Sequence, residues 1–298
     1  MKRSIIADSA LLFVTFIWGT TFVIVQNAIQ SVPPLTYNAV RFTLAAAMLA
    51  LIITLRYRDQ WKALTFKNMI AGSWIGIWLF AGYAFQTAGL LFTTSAKAGF
   101  ITGLSVVLVP LLAVAMLKQR LSWTAWLGVA SATAGLYLLS FSGTFSLNTG
   151  DVLVFFCAIS FALQIILTGK YAPGISPLPL AFLQVTAVAV LSTAGAFLFE
   201  DFAPGPALFA KLAEPDVLWA LLITAGPATT LAFWIQMVCQ RHTSAARVAL
   251  IFATEPVFAA LTAVLVGGET LGGRAVAGCA CILAGMLLAE LKLTKSTI

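Results

Sequence analysis

Charge is what this sequence has least of. Only 9% of its 298 residues are Asp, Glu, Lys or Arg, against about 25% in an ordinary water-soluble domain. With 61% hydrophobic residues there is too little polar surface to cover a globule in water. A soluble domain is therefore excluded, and a lipid bilayer becomes the expected solvent and partner. Histidine is nearly absent, with His242 alone in a polar break. The four cysteines, Cys157, Cys239, Cys279 and Cys281, each lie inside an apolar run. That placement reads as small core residues and excludes a disulfide framework or a zinc site, so no metal is expected. Paired carboxylates within the apolar runs, a histidine within them and a glycine-rich phosphate loop are missing as well. No catalytic set and no cofactor site is expected, and the chain does not read as an enzyme. The net charge of +7 is scattered through short breaks between apolar runs. That excludes the continuous basic patch that nucleic acid would need.

Long apolar runs are what the sequence has instead. Ten segments approach the roughly 20 residues that a bilayer-crossing helix requires: about 8–28, 35–55, 69–90, 95–117, 123–141, 151–169, 177–199, 217–239, 245–266 and 273–291. Pro33-Pro34, Pro173-Gly174, Pro177 and Gly267-Gly268 mark breaks between them. Lys2 and Arg3 precede the first run, but no small-x-small site follows early, so it reads as a retained span and not a secretory signal. With the N-terminus inside, the breaks on the inner side carry Lys2, Arg3, Arg56, Arg58, Lys62, Lys67, Lys118, Arg120, Lys170, Arg241, Arg247, Lys292 and Lys295; the outer side carries Lys97, Lys211 and Arg274. This asymmetry predicts cytoplasmic termini.

The two halves resemble each other. At a separation of 143 residues Asp8 matches Asp151, Val32 matches Ile175, Pro34 matches Pro177 and Leu35 matches Leu178. At a separation of 150, Gly76 matches Gly226, Gln86 matches Gln236, Thr93 matches Thr243, Lys97 matches Arg247, Leu121 matches Leu271, Gly128 matches Gly278 and Gly135 matches Gly285. The repeats are read as 1–142 and 150–298, joined by the small and polar stretch from Ser142 to Gly150. Five spans in each half is an odd number, so the second half enters the membrane from the opposite side. The expected fold is all-α and integral to the membrane, with ten transmembrane helices as two inverted five-helix repeats and a site between them near the midplane.

Several short motifs occur in order along nearly the whole chain. They are Trp18-Gly19-Thr20-Thr21-Phe22, Ala39-Val40-Arg41-Phe42, Thr102-Gly103-Leu104 through Pro110-Leu111-Leu112, Gln119-Arg120-Leu121-Ser122, Glu255-Pro256-Val257-Phe258-Ala259-Ala260 and Gly268-Glu269-Thr270-Leu271. In these the sequence resembles the drug/metabolite transporter superfamily, specifically its EamA-type exporters. Gln119 departs from that pattern, standing where the family usually has an acid. The resemblance implies ten helices, inverted five-helix repeats, a central cavity and substrates ranging over amino acids, other metabolites and drugs.

Candidate site residues follow from the cost of placing polar groups in hydrocarbon. An aromatic residue followed three positions later by a hydrogen-bonding group recurs on four spans: Trp18 and Thr21, Phe161 and Gln164, Tyr83 and Gln86, Phe233 and Gln236. Residues three apart share a helix face, so these eight are read as the walls of a substrate cavity. Glu255, mid-span and just before Pro256, is the candidate proton site. Arg41 is the candidate charge partner, for a substrate carboxylate or for Glu255; its repeat mate is the uncharged Gln184. Lys97 and Arg247 are possible guards of the two openings, and Pro110, Pro227 and Pro256 are possible hinges.

The expected function is a secondary transporter, an exporter of small metabolites such as amino acids, working by alternating access and coupled to protons or exchanging passively. Alternatives are drug efflux and a nucleotide-sugar or sugar-phosphate carrier, the latter requiring more cavity bases than Arg41, Lys97 and Arg247 supply. A channel or an intramembrane enzyme ranks below these. The expected location is the bacterial inner membrane.

Overall fold

The computed structural model of the chain describes residues 2–118, 121–140, 148–200, 202–267 and 272–290. The expectations for Gln119-Arg120, for residues 142–147 of the junction, for Gly268-Glu269-Thr270-Leu271 and for Lys292 and Lys295 fall outside them. Among the described residues the fold is helical throughout, the arrangement in which a backbone in lipid satisfies its own N–H and C=O groups. The first half comprises α1 (Lys2–Ala28), α2 (Pro34–Arg56), α3 (Phe66–Gly89), α4 (Ser95–Gly103), α5 (Ser105–Leu117) and α6 (Trp123–Ser140). The second comprises α7 (Thr149–Tyr171), α8 (Pro177–Phe199), α9 (Pro206–Leu212), α10 (Pro215–Ala225), α11 (Ala232–Gln240), α12 (Ala245–Phe252), α13 (Glu255–Gly267) and α14 (Gly273–Glu290). Eight helical stretches are long and apolar enough to cross a bilayer, and α14 contributes a shorter apolar helix. Large side chains such as Phe13, Leu55, Trp74, Phe155, Phe199, Trp219 and Leu287 stand exposed around the outside, an apolar surface suited to lipid and not to water.

The prolines that mark breaks in the sequence start helices. Pro34 and its mate Pro177 occupy the first positions of α2 and α8, where a missing N–H costs nothing. The start of α2 receives a further cap from the end of α8. Glu200 accepts hydrogen bonds from the Leu35 and Thr36 backbone N–H groups, both at 2.7 Å, and from the Thr36 hydroxyl at 3.0 Å. A carboxylate at a helix N-terminus satisfies orphan donors and complements the helix dipole.

Two of the expected spans are not continuous rods. The span predicted at 95–117 is split between α4 and α5 at Leu104, and the span at 245–266 is split between α12 and α13 at Ala253-Thr254. These breaks are repeat mates. A third irregularity has no counterpart in the first half. Between α10 and α11, residues Gly226–Leu231 adopt a π-helical turn with Pro227 inside it.

The two halves pack with the pseudo-two-fold relation that inversion requires. The helix pairs α2–α8 and α6–α14 are the self-related contacts. A methyl group placed on Gly135 would lie 2.6 Å from the Gly278 carbonyl oxygen, and one on Gly285 would lie 2.6 Å from the Gly128 carbonyl oxygen. Gly135 mates with Gly285 and Gly128 with Gly278, so exchanging the halves maps this contact onto itself. Close helix approach through small residues is how membrane helices associate without a hydrophobic drive between them.

The repeated pair Gly76 and Gly226 has diverged in use. A methyl on Gly76 would meet the Ala187 Cβ at 2.5 Å and the Gln184 carbonyl at 2.8 Å, whereas nothing lies within 4 Å of one on Gly226. Gly76→Ala is therefore expected to overpack the α3–α8 contact by about 1–3 kcal/mol. That corresponds to a fall in Tm of roughly 2–5 °C for a chain of this size, while Gly226→Ala stays close to the parent. Thermal unfolding of the two purified variants in detergent measures the difference; equal melting would show that the α3–α8 approach is loose.

Candidate functional site

A chamber lies between the halves, and both contribute to it. From the first half come Trp18, Thr21, Phe22 and Val25 of α1, Arg41 of α2, Leu79, Tyr83 and Gln86 of α3, and Thr102, Gly103 and Ser105 around the α4–α5 break. From the second come Phe161, Gln164 and Ile165 of α7, Phe233 of α11, Phe252 of α12 and Glu255 of α13. Water centres can occupy about 60 Å³ of it, room for roughly five waters at ~10–15 Å³ each. Seven of the eight cavity residues expected from the recurring aromatic-to-polar spacing line this chamber; Gln236 stands behind it. The α4–α5 break brings in Thr102, Gly103 and Ser105, which that spacing does not flag. Ser105 is the repeat mate of Glu255 (150 residues apart), so the repeat itself carried a signal for it.

The aromatic residues form a connected wall. The Trp18 ring packs at 5.7 Å from Phe233 and edge-on at 5.0 Å from Phe252. Tyr83 packs edge-on against Phe42, Phe161 and Phe233 at 4.9, 5.2 and 6.3 Å. These edge-to-face contacts fix ring orientations and leave apolar faces toward the cavity. Thr21 donates to its own helix, at the Trp18 carbonyl (2.8 Å), so toward the chamber its hydroxyl can act as an acceptor. The α1–α13 contact behind the wall is tight: a methyl on Gly19 would meet the Glu255 carbonyl oxygen at 2.7 Å. The Trp-Gly-Thr motif of α1 and the Glu-Pro motif of α13 are thus two sides of one contact.

Arg41 and Glu255 are the charged members of the wall. The Arg41 side chain is 3% exposed. Its Nε donates to Thr229 Oγ1 at 2.9 Å, its Nη2 lies 3.5 Å from the Tyr83 hydroxyl, and its guanidinium carbon sits over the Tyr83 and Phe42 rings at 4.7 and 5.1 Å. The π-helical turn makes part of this possible. It presents Thr229 to Arg41 and turns the Ala228 carbonyl toward the Trp18 indole N–H, which donates to it at 2.8 Å. Among the described residues neither Arg41 nor Glu255 forms a salt bridge, with each other or with anything else. Cation–π contacts and hydroxyls position a guanidinium without neutralising it.

The glutamines divide between the chamber and a network behind it. Gln86 donates to Thr102 Oγ1 at 3.3 Å across the chamber wall. Gln164 donates to Gln184 Oε1 at 3.1 Å and Thr168 Oγ1 at 3.2 Å, and Gln236 donates to Gln164 Oε1 at 3.3 Å and Gln240 Oε1 at 2.8 Å. Gln236 therefore acts on the chamber through Gln164, whose amide it orients. Gln86→Ala and Gln236→Ala are each expected to weaken substrate binding by roughly 3–15-fold, the worth of one neutral hydrogen bond. Direct binding to the purified variants measures this, and two unchanged affinities would remove the amides from the site.

Lys97 and Arg247 lie outside the chamber wall, at the starts of α4 and α12. Pro256 opens α13 beside the α12–α13 break, close to Gly103, where a methyl would lie 3.5 Å from its Cγ. Pro110 sits within α5, six residues past the corresponding break at Leu104.

The sequence matches the EamA-like transporter family twice, over residues 5–141 and 148–291. The chain belongs to the EamA-like transporter family. Among its relatives is an uncharacterized transporter of Archaeoglobus fulgidus, 35% identical over 97% of this chain and 87% of the relative. The uncharacterized inner membrane transporter YedA of Escherichia coli is 24% identical over 88% of this chain and 83% of its own. A solved crystal structure, 20% identical, superposes with a TM-score of 0.77 over 96% of both chains, which shows a shared fold. As an EamA-like transporter, the chain is a multi-pass integral membrane protein with its chamber at the interface of the two repeats.

Proposed function

We propose that this transporter is a secondary carrier that exports small zwitterionic metabolites of the amino-acid class across the inner membrane by alternating access. The single observation that carries this reading is the chamber's guanidinium and carboxyl groups, Arg41 and Glu255, neither salt-bridged among the described residues and both set in aromatic walls. A carboxylate beside the guanidinium and an ammonium toward Glu255 would complement both, and the rings would take an apolar side chain. Phosphate-bearing substrates fit less well, because Arg41 is the one base among the described chamber residues. A drug-like cation would use Glu255 and the rings but leave Arg41 buried without a counter-charge. The repeat boundaries at 1–142 and 150–298 make the halves the two moving bodies, and the basic residues of the breaks favour cytoplasmic termini. Release of a proton from Glu255 on one side and uptake on the other would couple export to the proton gradient.

The test is counterflow in liposomes holding the purified protein. A panel of amino acids is expected to give saturable counterflow, with sugar phosphates and nucleotide sugars inert. Counterflow confined to phosphorylated compounds would overturn the substrate class, and ion currents at channel rates would overturn the carrier.

A further inference from the structure

The strongest pattern outside the chamber is a pair of ion pairs. Asp8 and Asp151 are repeat mates, and so are Lys97 and Arg247. In the folded protein each acid pairs with the base of the other half: Asp8 of α1 with Arg247 of α12, and Asp151 of α7 with Lys97 of α4, the latter at 3.0 Å between Nζ and Oδ2. Exchanging the halves turns one pair into the other, and each pair ties the two halves together. In both the acid is buried: Asp8 and Arg247 side chains are 8% and 16% exposed, Asp151 and Lys97 side chains 1% and 37%.

Their local settings match as well. Each base is the third residue of a helix whose N-cap is a hydroxyl, Thr94 for α4 and Ser244 for α12, and whose cap accepts from the base's own backbone N–H at 3.2 and 3.3 Å. A cation in the first turn of a helix is opposed by the helix dipole. Helix stability alone therefore disfavours a base at this position, yet both halves keep one there.

The two pairs lie at opposite ends of the chamber. Helix α1 begins beside the first pair, where Asp8 meets Arg247. It then passes Thr254, whose hydroxyl donates to Thr15 Oγ1 at 3.3 Å, and the chamber residues Trp18 and Phe22. In its last turn stands Gln26, which donates to the carbonyls of Leu90 and Thr93 at 3.1 and 3.0 Å and accepts from Ser95. Thr93 in turn donates to Asp151 Oδ1 at 2.6 Å. From Asp8 to Gln26 the helix climbs about 27 Å at ~1.5 Å per residue, close to the ~30 Å hydrocarbon thickness of a bilayer. The chamber is thus bracketed, one ion pair near each membrane face.

We propose that Asp8–Arg247 and Asp151–Lys97 are the two gates of the transport cycle, latches that hold the halves together at opposite faces and open in alternation. The proposal rests on the carrier reading. Opening the chamber to one face separates the halves there, so one pair must break while the other keeps the opposite face shut. The repeat gives both faces the same device, so the same residue types serve both steps of the cycle. The two latches are not braced alike, because the repeat mate of Gln26 is Gly169, which has no side chain to brace the Asp8–Arg247 end.

The experiment reads access to the chamber from each face. Ser105→Cys, in a background lacking the four native cysteines, is labelled by a membrane-impermeant thiol reagent in right-side-out and in inverted vesicles. In that parent, labelling from both faces is expected. Arg247→Gln is expected to shift the ratio of labelling rates from the two faces by roughly tenfold, the scale of a modest coupling between conformations. Lys97→Gln is expected to shift it by a similar factor in the opposite direction. The charge exchange Asp8→Arg with Arg247→Asp restores the parent ratio. Which variant favours which face also reports the orientation of the chain. Parent labelling from both faces with the ratio unmoved in either variant overturns the latches alone, as do shifts in the same direction. A parent reporter reached from neither face, or from one only, overturns the carrier reading and the latches with it. If Arg247→Gln does not accumulate, the charge exchange decides the matter by itself: a folded exchanged pair with the parent ratio supports the latch, and an altered ratio overturns it.

Discussion

Arg41→Gln is expected to yield a folded transporter that has lost nearly all affinity for its substrate. The fold should survive because the second half supplies the control: Gln184, the repeat mate of Arg41, is fully buried at the matching place on α8. A glutamine there is compatible with the helix and with its neighbours. What disappears is a desolvated guanidinium, 3% exposed, held by Thr229 and Tyr83 and paired with no carboxylate among the described residues. Truncating one partner of a buried, hydrogen-bonded charge pair costs about 2–5 kcal/mol, so Kd should rise by roughly 30-fold to a few thousand-fold. Arg41→Lys should recover part of that loss and no more, because an ammonium cannot offer the planar fork that binds a carboxylate twice. It would also stack less well on the Tyr83 ring. Binding to the purified variants by calorimetry, with counterflow in liposomes beside it, measures both. An Arg41→Gln protein with parental affinity would make Arg41 a packing residue of α2 and remove the carboxylate from the proposed substrate.

The membrane-spanning pattern was legible because it rests on composition. Apolar runs of bilayer length, the helix-starting prolines Pro34 and Pro177, and the spacing of Trp18 to Thr21 or Tyr83 to Gln86 are local properties, and the helices and chamber carry them. Of the breaks in the fourth and ninth spans, the second had a sign in the sequence, Pro256 just past Ala253-Thr254. Nothing in the Leu104 side chain forbids a continuous helix, and Pro110, read as a possible hinge, lies six residues past that break. The π-helical turn was hidden for a similar reason. Gly226-Pro227 announces a disturbance, but only the register of the hydrogen bonds makes it the turn that brings Thr229 to Arg41, 188 residues away. Gln236 shows the limit of periodicity: it shares a face with Phe233, yet its amide turns to Gln164 and Gln240 behind the wall. The ion pairs were half visible. The repeat identified Asp8 with Asp151 and Lys97 with Arg247, but the crossing of acid from one half to base from the other is a property of inverted packing.

Glu255→Gln should separate transport from its driving force. The substitution keeps the shape of the side chain, and the backbone contact of Glu255 with Gly19 across α1 and α13 is untouched. A carboxyl group can gain and lose a proton during the cycle and an amide cannot, so the chamber keeps its form while losing the one acid among its described residues. In liposomes with the membrane potential clamped at zero, the parent exchanging one proton per substrate should sustain up to about a tenfold substrate gradient per unit of ΔpH, since 1.4 kcal/mol is tenfold in concentration. Glu255→Gln should equilibrate substrate and go no further, whatever the ΔpH, while counterflow at equal pH persists once the substrate concentration is raised to offset the weaker hold on the ammonium group. The same logic sets the voltage response. Net movement of one charge per cycle is worth about 2.3 kcal/mol per 100 mV, so the parent's steady-state gradient should follow an imposed potential and that of the variant should not. If Glu255→Gln still concentrates substrate against its gradient under ΔpH, the proton travels by another route. Glu255 would then serve the chamber only as a hydrogen-bonding wall, the part that Ser105 can fill in the other half.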